Sequence, residues 1–175
     1  MRLYHTGKIE IQNPDIRYGR LNADFGQGFY LTPDLEFSYR WAGKDSVINV
    51  YEMNLDGLKL HEFKRDAEWL NYIFSNRRLK DTLDADVIIG PIANDTIYDT
   101  LGILSSGYLS QEEALRLLMI GPQYIQLVIK TDKARERLRW IESKANLMYE
   151  KYAEDLKKEQ EEYQKLFAEE MERLT

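Results

Sequence analysis

The chain contains no cysteine. Disulfides, thiolate nucleophiles and cysteine-ligated zinc therefore lie outside its chemistry. Histidine is almost as scarce: His5 and His61 are the only two among 175 residues. That is too few for a His-rich metal site, so only carboxylates could hold a metal, and none is expected. No apolar run approaches the roughly 20 residues of a membrane helix. The opening segment, "MRLYHTGKIEIQ", lacks the apolar stretch of a signal peptide. The expectation is a cytoplasmic protein, with export by a dedicated system left open. Positive charge is in deficit, with 24 Lys and Arg against 30 Asp and Glu, a net charge of -6. General nucleic-acid binding, which clustered Lys and Arg drive, is disfavoured, although a local basic pocket is not.

What is present suits a folded domain. Hydrophobic residues make up 43% of the chain, and 12 residues are tyrosine. That is enough apolar surface for a core, and the tyrosines can serve core or cleft. The segments "RLYH", "GFYLT", "SVINVYEMNL", "DADVIIGPI" and "QYIQLVIKT" read as strands, with "LKLHEF" a further candidate. Thr32 reads as an N-cap with Pro33 at the first helical position, opening a helix to about Gly43. "DAEWLNYIFSNRRL" has apolar residues at helical spacing, and Ser110 with Glu113 forms a capping box ahead of "EALRLLM". "NDTIYDTLGILSSG" stays ambiguous between loop and helix. The fold class is therefore α+β.

From Thr131 onward glycine and proline disappear, and Lys, Glu, Leu and Ala dominate. Leu138, Ile141, Ala145, Met148 and Tyr152 follow a 3,4 repeat. The spacing predicts one long amphipathic helix over 133–175, appended to a domain of residues 1–132. Its first turns, with Leu138, Trp140 and Ile141, are expected to pack on the domain. Its distal stripe of Tyr163, Phe167 and Leu174 is expected to lack chain to cover it. A second copy or a separate partner protein would then dock there.

The stretch "DFGQGFYLTP" places Gly26 and Gly28 around Gln27, just before an aromatic run. A lone G-x-G ahead of a strand is not a dinucleotide-binding turn of the Rossmann kind, which follows a strand and needs a third glycine. Glycine does allow a tight turn or the close approach of a ligand to the backbone. Taken together, "LYHTG" and "FGQGFYLTPDLEFSYRWA" resemble the ADP-ribosyltransferase superfamily, in its diphtheria-toxin and poly(ADP-ribose)-polymerase type. There a first-strand His stands in a pattern like L-W-H-G, and a second-strand Tyr in G-x-G-[IF]-Y-[FL]. His5 matches the first and Tyr30 the second. The resemblance extends over about residues 2–140, as in an uncharacterised bacterial branch.

The resemblance implies a split two-sheet core that grips NAD as a substrate. It implies that His5 hydrogen-bonds the adenosine-side ribose, that Tyr30 presents its ring to the nicotinamide, and that Thr6, Gly7, Gly28, Phe29 and Asn94 line the cleft. Arg17, Arg20, Arg77 and Arg78 are candidates for the pyrophosphate, since Arg pairs with phosphate through two hydrogen bonds. The family pattern also has a late-strand Glu, and "PQYIQLVIKT" has none. Gln126 matches that position best, and Gln123 is the competing register. A strand alternates faces, so both cannot line one cleft. Glutamine carries no charge to offset an oxocarbenium-like transition state. Asp95 is a candidate for the missing carboxylate. The implied activity is single transfer of ADP-ribose to a macromolecule, protein rather than nucleic acid, in a bacterial toxin or effector with an antitoxin-like partner. The alternatives are an NAD glycohydrolase and a non-catalytic nucleotide-binding or interaction module.

Overall fold

The computed structural model describes residues 1–93, 102 and 106–174. Among the described residues two small sheets form, joined at a seam. The first holds β1 (Arg2–Gly7), β3 (Val47–Met53) and β7 (Leu138–Ala145), antiparallel in the order β1-β3-β7. The second holds β2 (Phe29–Leu31), β4 (Leu60–Glu62), β5 (Val87–Pro91) and β6 (Ile125–Ile129), in the order β2-β6-β5-β4. Only the β4–β5 pair is parallel there.

The alternation of the strands decides the layers. Leu3, Tyr51 and Met53 from one sheet meet Phe29, Leu31, Val87, Leu127 and Ile129 from the other in one buried cluster. The opposite face of the larger sheet carries Ile88 and Val128. These pack against Trp69, Leu70 and Ile73 of α2 (Ala67–Asn76) and Leu118 of α3 (Gln111–Leu118). Three further helices complete the described residues: α1 (Leu35–Trp41), α4 (Asp132–Arg135) and α5 (Tyr149–Leu174). The fold is α+β with a long C-terminal helix, as the sequence implies. None of the described helices is long and apolar enough to cross a membrane.

Local signals hold where the partner is near in sequence. Ser110 and Glu113 form the capping box of α3. Thr32, by contrast, does not cap α1. Asp34 is the N-cap, accepting from the Phe37 amide at 3.1 Å, and Pro33 lies ahead of the helix. The Thr32 hydroxyl donates instead to the Ile125 carbonyl at 2.9 Å. Thr32 is still in extended backbone paired with β1, so it cannot yet begin a helix.

The expected helix over 133–175 begins only at Tyr149, and residues 138–145 form β7. The register explains the misleading spacing. Trp140 opposes Tyr51 and Glu142 opposes Val50, leaving Ile141 as the extra residue of a bulge. A bulge shifts the alternation by one residue, so an edge strand acquires helix-like 3,4 intervals. Helix α5 spans about 39 Å. It packs on α1, where Tyr152 stacks on Tyr39, and reaches Gly121, where Tyr163 lies against the backbone. Tyr163, Phe167 and Leu174 are half-buried, Tyr163 against Gly121.

Two glycines of the "DFGQGFY" stretch serve the protein's own packing. Gly26 has φ +68, a left-handed conformation that side chains disfavour. At Gly28 a β-carbon would stand 2.6 Å from the Ile129 carbonyl oxygen and 2.6 Å from a Val128 methyl. Gly28→Ala is therefore expected to cost about 1–3 kcal/mol through backbone displacement of β6, read by urea unfolding; an unchanged midpoint contradicts this close approach.

Asp86 ties the approach to β4 to the junction of β6 and α4. Its carboxylate accepts from the Lys59 amide, the Thr131 hydroxyl and the Lys133 ammonium. These bonds, the Lys59 amide first, hold its pKa down from 3.8 to about 2. The native state thus prefers the ionised form, and this contribution is full above pH 4 and is lost as pH falls toward 2. Asp86→Asn is expected to lower the Tm at pH 7, with the gap to wild type closing between pH 4 and 2. A gap independent of pH contradicts this.

Candidate functional site

The seam between the sheets is one antiparallel bridge. Tyr4 and Thr32 exchange amide-to-carbonyl bonds of 2.9 Å each. One residue further along β1, His5 turns its ring toward β2. Its Nδ1 lies 2.7 Å from the Tyr30 carbonyl oxygen. A carbonyl can only accept, so Nδ1 carries the proton and Nε2 of the neutral ring carries a lone pair. The ring stacks on Phe29 at 4.5 Å between centroids. Burial is the larger influence on His5 and lowers its pKa below 6.5, against the opposing hydrogen bond to Tyr30. His5 is therefore a neutral hydrogen-bond acceptor at pH 7. Nε2 sits over Gly7, where a β-carbon would stand 3.4 Å away. Glycine leaves that approach open. Thr6 fixes the neighbourhood, its hydroxyl donating to the Ser38 carbonyl of α1 at 2.9 Å.

Tyr30 opposes Val128 in the β2–β6 pair, and Gln126 is two residues from Val128. Tyr30 and Gln126 therefore share one face of the larger sheet. The Tyr30 hydroxyl is fully engaged in its own turn: it donates to the Gly26 carbonyl at 2.7 Å and accepts from the Phe25 amide at 3.0 Å. Burial raises its pKa, so the phenol is no base, and its half-buried ring packs against the core cluster that contains Phe25 and Val128. Gln126 is 8% exposed, and its amide nitrogen is 3.5 Å from the Pro91 carbonyl. Gln123 precedes β6 and is exposed. Asn94 and Asp95 lie outside the described residues.

The candidate phosphate-binding arginines have other partners. Arg17 pairs with Asp132 and lies 3.6 Å from Asp15. Arg77 holds Asp24 through Nε at 3.1 Å. Arg78 stands over the Phe74 ring at 4.1 Å. Arg20 is exposed. No spacing pattern marks several residues that hold the seam and the glycine turn. Asn49 is fully buried and pins the Ile9–Ile11 segment by accepting from one amide and donating to one carbonyl. Lys130 and Asp81 form a nearly buried pair at 2.8 Å beneath Gly26. Their partners are remote in sequence, so no spacing rule reaches them.

Open clefts lie elsewhere. One of about 500 Å³ is lined by Arg2, Glu52, Arg137 and Arg139 among others, and one of about 300 Å³ lies between α1 and α5. Among the described residues no cluster of three or more acidic or histidine side chains could hold a metal.

The tautomer assignment has a measurable consequence. His5→Asn keeps a donor for the Tyr30 carbonyl but cannot titrate. Since the folded pKa is lowered, wild type keeps its full contribution above pH 6.5 and loses it as pH falls through the lowered value. Thermal melts from pH 8 to 5 are expected to show wild type losing more Tm than His5→Asn. Parallel curves contradict a buried neutral imidazole.

Neither the curated proteins nor the solved structures contain a match to the chain. One family model does match, over residues 1–140, and its description is a protein of unknown function, DUF3990. The matched span runs from the first strand through the seam and into β7, leaving α5 outside. With most of its length matched, the chain belongs to the DUF3990 family.

Proposed function

We propose that the seam binds NAD and that the protein is a mono-ADP-ribosyltransferase. The observation that carries this reading is the pairing of a neutral His5, its Nε2 free to accept over Gly7, with the Phe29–Tyr30 run across the junction of two sheets. A ribose hydroxyl would donate to Nε2. The nicotinamide would lie against the Tyr30 ring, where an aromatic face suits a flat cationic heterocycle. In the reaction the bond between nicotinamide nitrogen and ribose C1 breaks, nicotinamide leaves with the bonding pair, and an acceptor nucleophile bonds to C1.

The chemistry available at Gln126 limits the outcome. An amide can hydrogen-bond a ribose hydroxyl but supplies neither charge nor base, so single transfer is favoured over chain elongation. Asp95 is the proposed source of a carboxylate. A net charge of -6 gives a lean toward a protein acceptor. A toxin or effector role with an antitoxin-like partner completes the proposal. The second reading, a non-catalytic NAD- or ADP-ribose-binding module or a glycohydrolase, is favoured by the uncharged Gln126.

Incubation with labelled NAD and cell lysate separates these readings. Label on a macromolecule together with nicotinamide release supports transfer. Nicotinamide release alone supports the hydrolase, and NAD binding with neither supports the binding module. Absence of binding, turnover and label sinks all three. Tyr30→Phe is expected to bind NAD at reduced affinity and to lose about 1–3 kcal/mol of stability, because the ring is released from the turn and the Gly26 carbonyl and Phe25 amide lose their partner. Tyr30→Ala is expected to lose NAD binding as well. Equal NAD affinity in wild type and Tyr30→Ala removes the ring from the site.

A further inference from the structure

Four charged side chains converge on the glycine turn at unusual depth. Lys130 and Asp81 keep 10% and 11% of their side-chain surface, and Arg77 and Asp24 keep 12% and 14%. Asp24 belongs to the turn, Lys130 bonds its backbone, Asp81 stands beside Gly26, and Arg77 reaches it through the Asp24 carboxylate. The Lys130 ammonium donates to the Phe25 carbonyl as well as to Asp81. Asp24 receives Arg77, and its carbonyl receives the Asn76 side chain at 3.1 Å. Asp81 also caps the Leu83 amide at 3.0 Å. Gly26 is the residue that lets this happen: a β-carbon there would stand 2.8 Å from Asp81 Oδ2 and 3.0 Å from Lys130 Nζ.

Burying ion pairs is a poor way to gain stability, because desolvation offsets most of the attraction; replacing such a pair by neutral groups is often harmless to stability. What buried pairs can supply is a single defined geometry. Here the geometry defined is that of residues 24–28. The same turn grips the Tyr30 hydroxyl through the Phe25 amide and the Gly26 carbonyl. Position is therefore transmitted in two steps, from the charges to the turn and from the turn to the Tyr30 ring.

We propose that Lys130 and Asp81, reinforced by Arg77 and Asp24, are positioning residues that lock the glycine turn onto the segment after α2 and so fix the Tyr30 ring on the face of the larger sheet that it shares with Gln126. The lock itself is independent of any ligand. Its consequence for nicotinamide rests on the NAD reading above.

The test uses the full chain with Asp81→Asn and Lys130→Gln combined, which removes both charges but leaves donors and acceptors. Three readouts are taken: Tm, amide hydrogen exchange of residues 24–30, and NAD binding by calorimetry. The expected result is a Tm near that of wild type, exchange in the turn at least tenfold faster with the core strands unchanged, and NAD affinity reduced about tenfold. A folded double variant whose turn keeps wild-type protection overturns the proposal. If that variant does not fold, Lys130→Gln alone is compared with Lys130→Arg, which keeps the charge. Protection retained in Lys130→Arg and lost in Lys130→Gln supports the lock, and equal protection in both refutes it. If wild type binds no NAD, the functional reading fails, while the exchange data still decide the lock.

Discussion

The arrangement of the two sheets depends on one narrow seam. Two backbone bonds between Tyr4 and Thr32 are the bridge by which a three-stranded sheet is sewn to a four-stranded one. A junction that short leaves the strands free to diverge on either side, and side chains must fill or line the gap. Leu3, Phe29 and Leu31 fill it as core. His5, stacked on Phe29, spans it by a hydrogen bond to the Tyr30 carbonyl. That bond decides more than ring orientation. It places the proton on Nδ1, burial keeps the ring neutral, and Nε2 is left as an acceptor. A backbone constraint thus becomes a chemical property.

The elements around the seam hold its parts from several directions. Asn49 and Tyr51 pin the loop after β1, through bonds to Ile9 and Ile11. The hydroxyl of Thr32 joins β2 to β6 at Ile125. Helix α5 grips both α1 and the start of β6 through one carboxylate, with Glu159 accepting from Arg40 and from Tyr124. This helix lies outside the span matched by the family model. It braces the segments that carry the seam rather than contributing a strand or a core layer to them.

How far the sequence discloses this depends on how far apart the interacting residues are. The capping box of α3 was legible because its residues are three apart. The aromatic strand "GFYL" was legible because its glycine and tyrosine belong to one short pattern. Thr32 was misread because its acceptor is the Ile125 carbonyl, 93 residues away. Residues 138–145 were misread because a bulge at Ile141 imitates helical spacing, and only the pairing with β3 reveals it. The glycines were visible, but their purpose was not. Gly28 makes room for β6 and Gly26 for an ion pair, and both partners lie far along the chain. Arg17 and Arg77 looked available in the sequence, and their carboxylate partners are likewise remote.

The central claim, that the seam is a nucleotide site built on a neutral His5, is tested most directly by a crystal structure of the protein soaked with NAD. The account predicts a ribose hydroxyl within hydrogen-bonding distance of His5 Nε2 and the nicotinamide ring against Tyr30. An empty seam at saturating NAD, or NAD seated instead in the cleft lined by Arg2, Arg137 and Arg139, would contradict it.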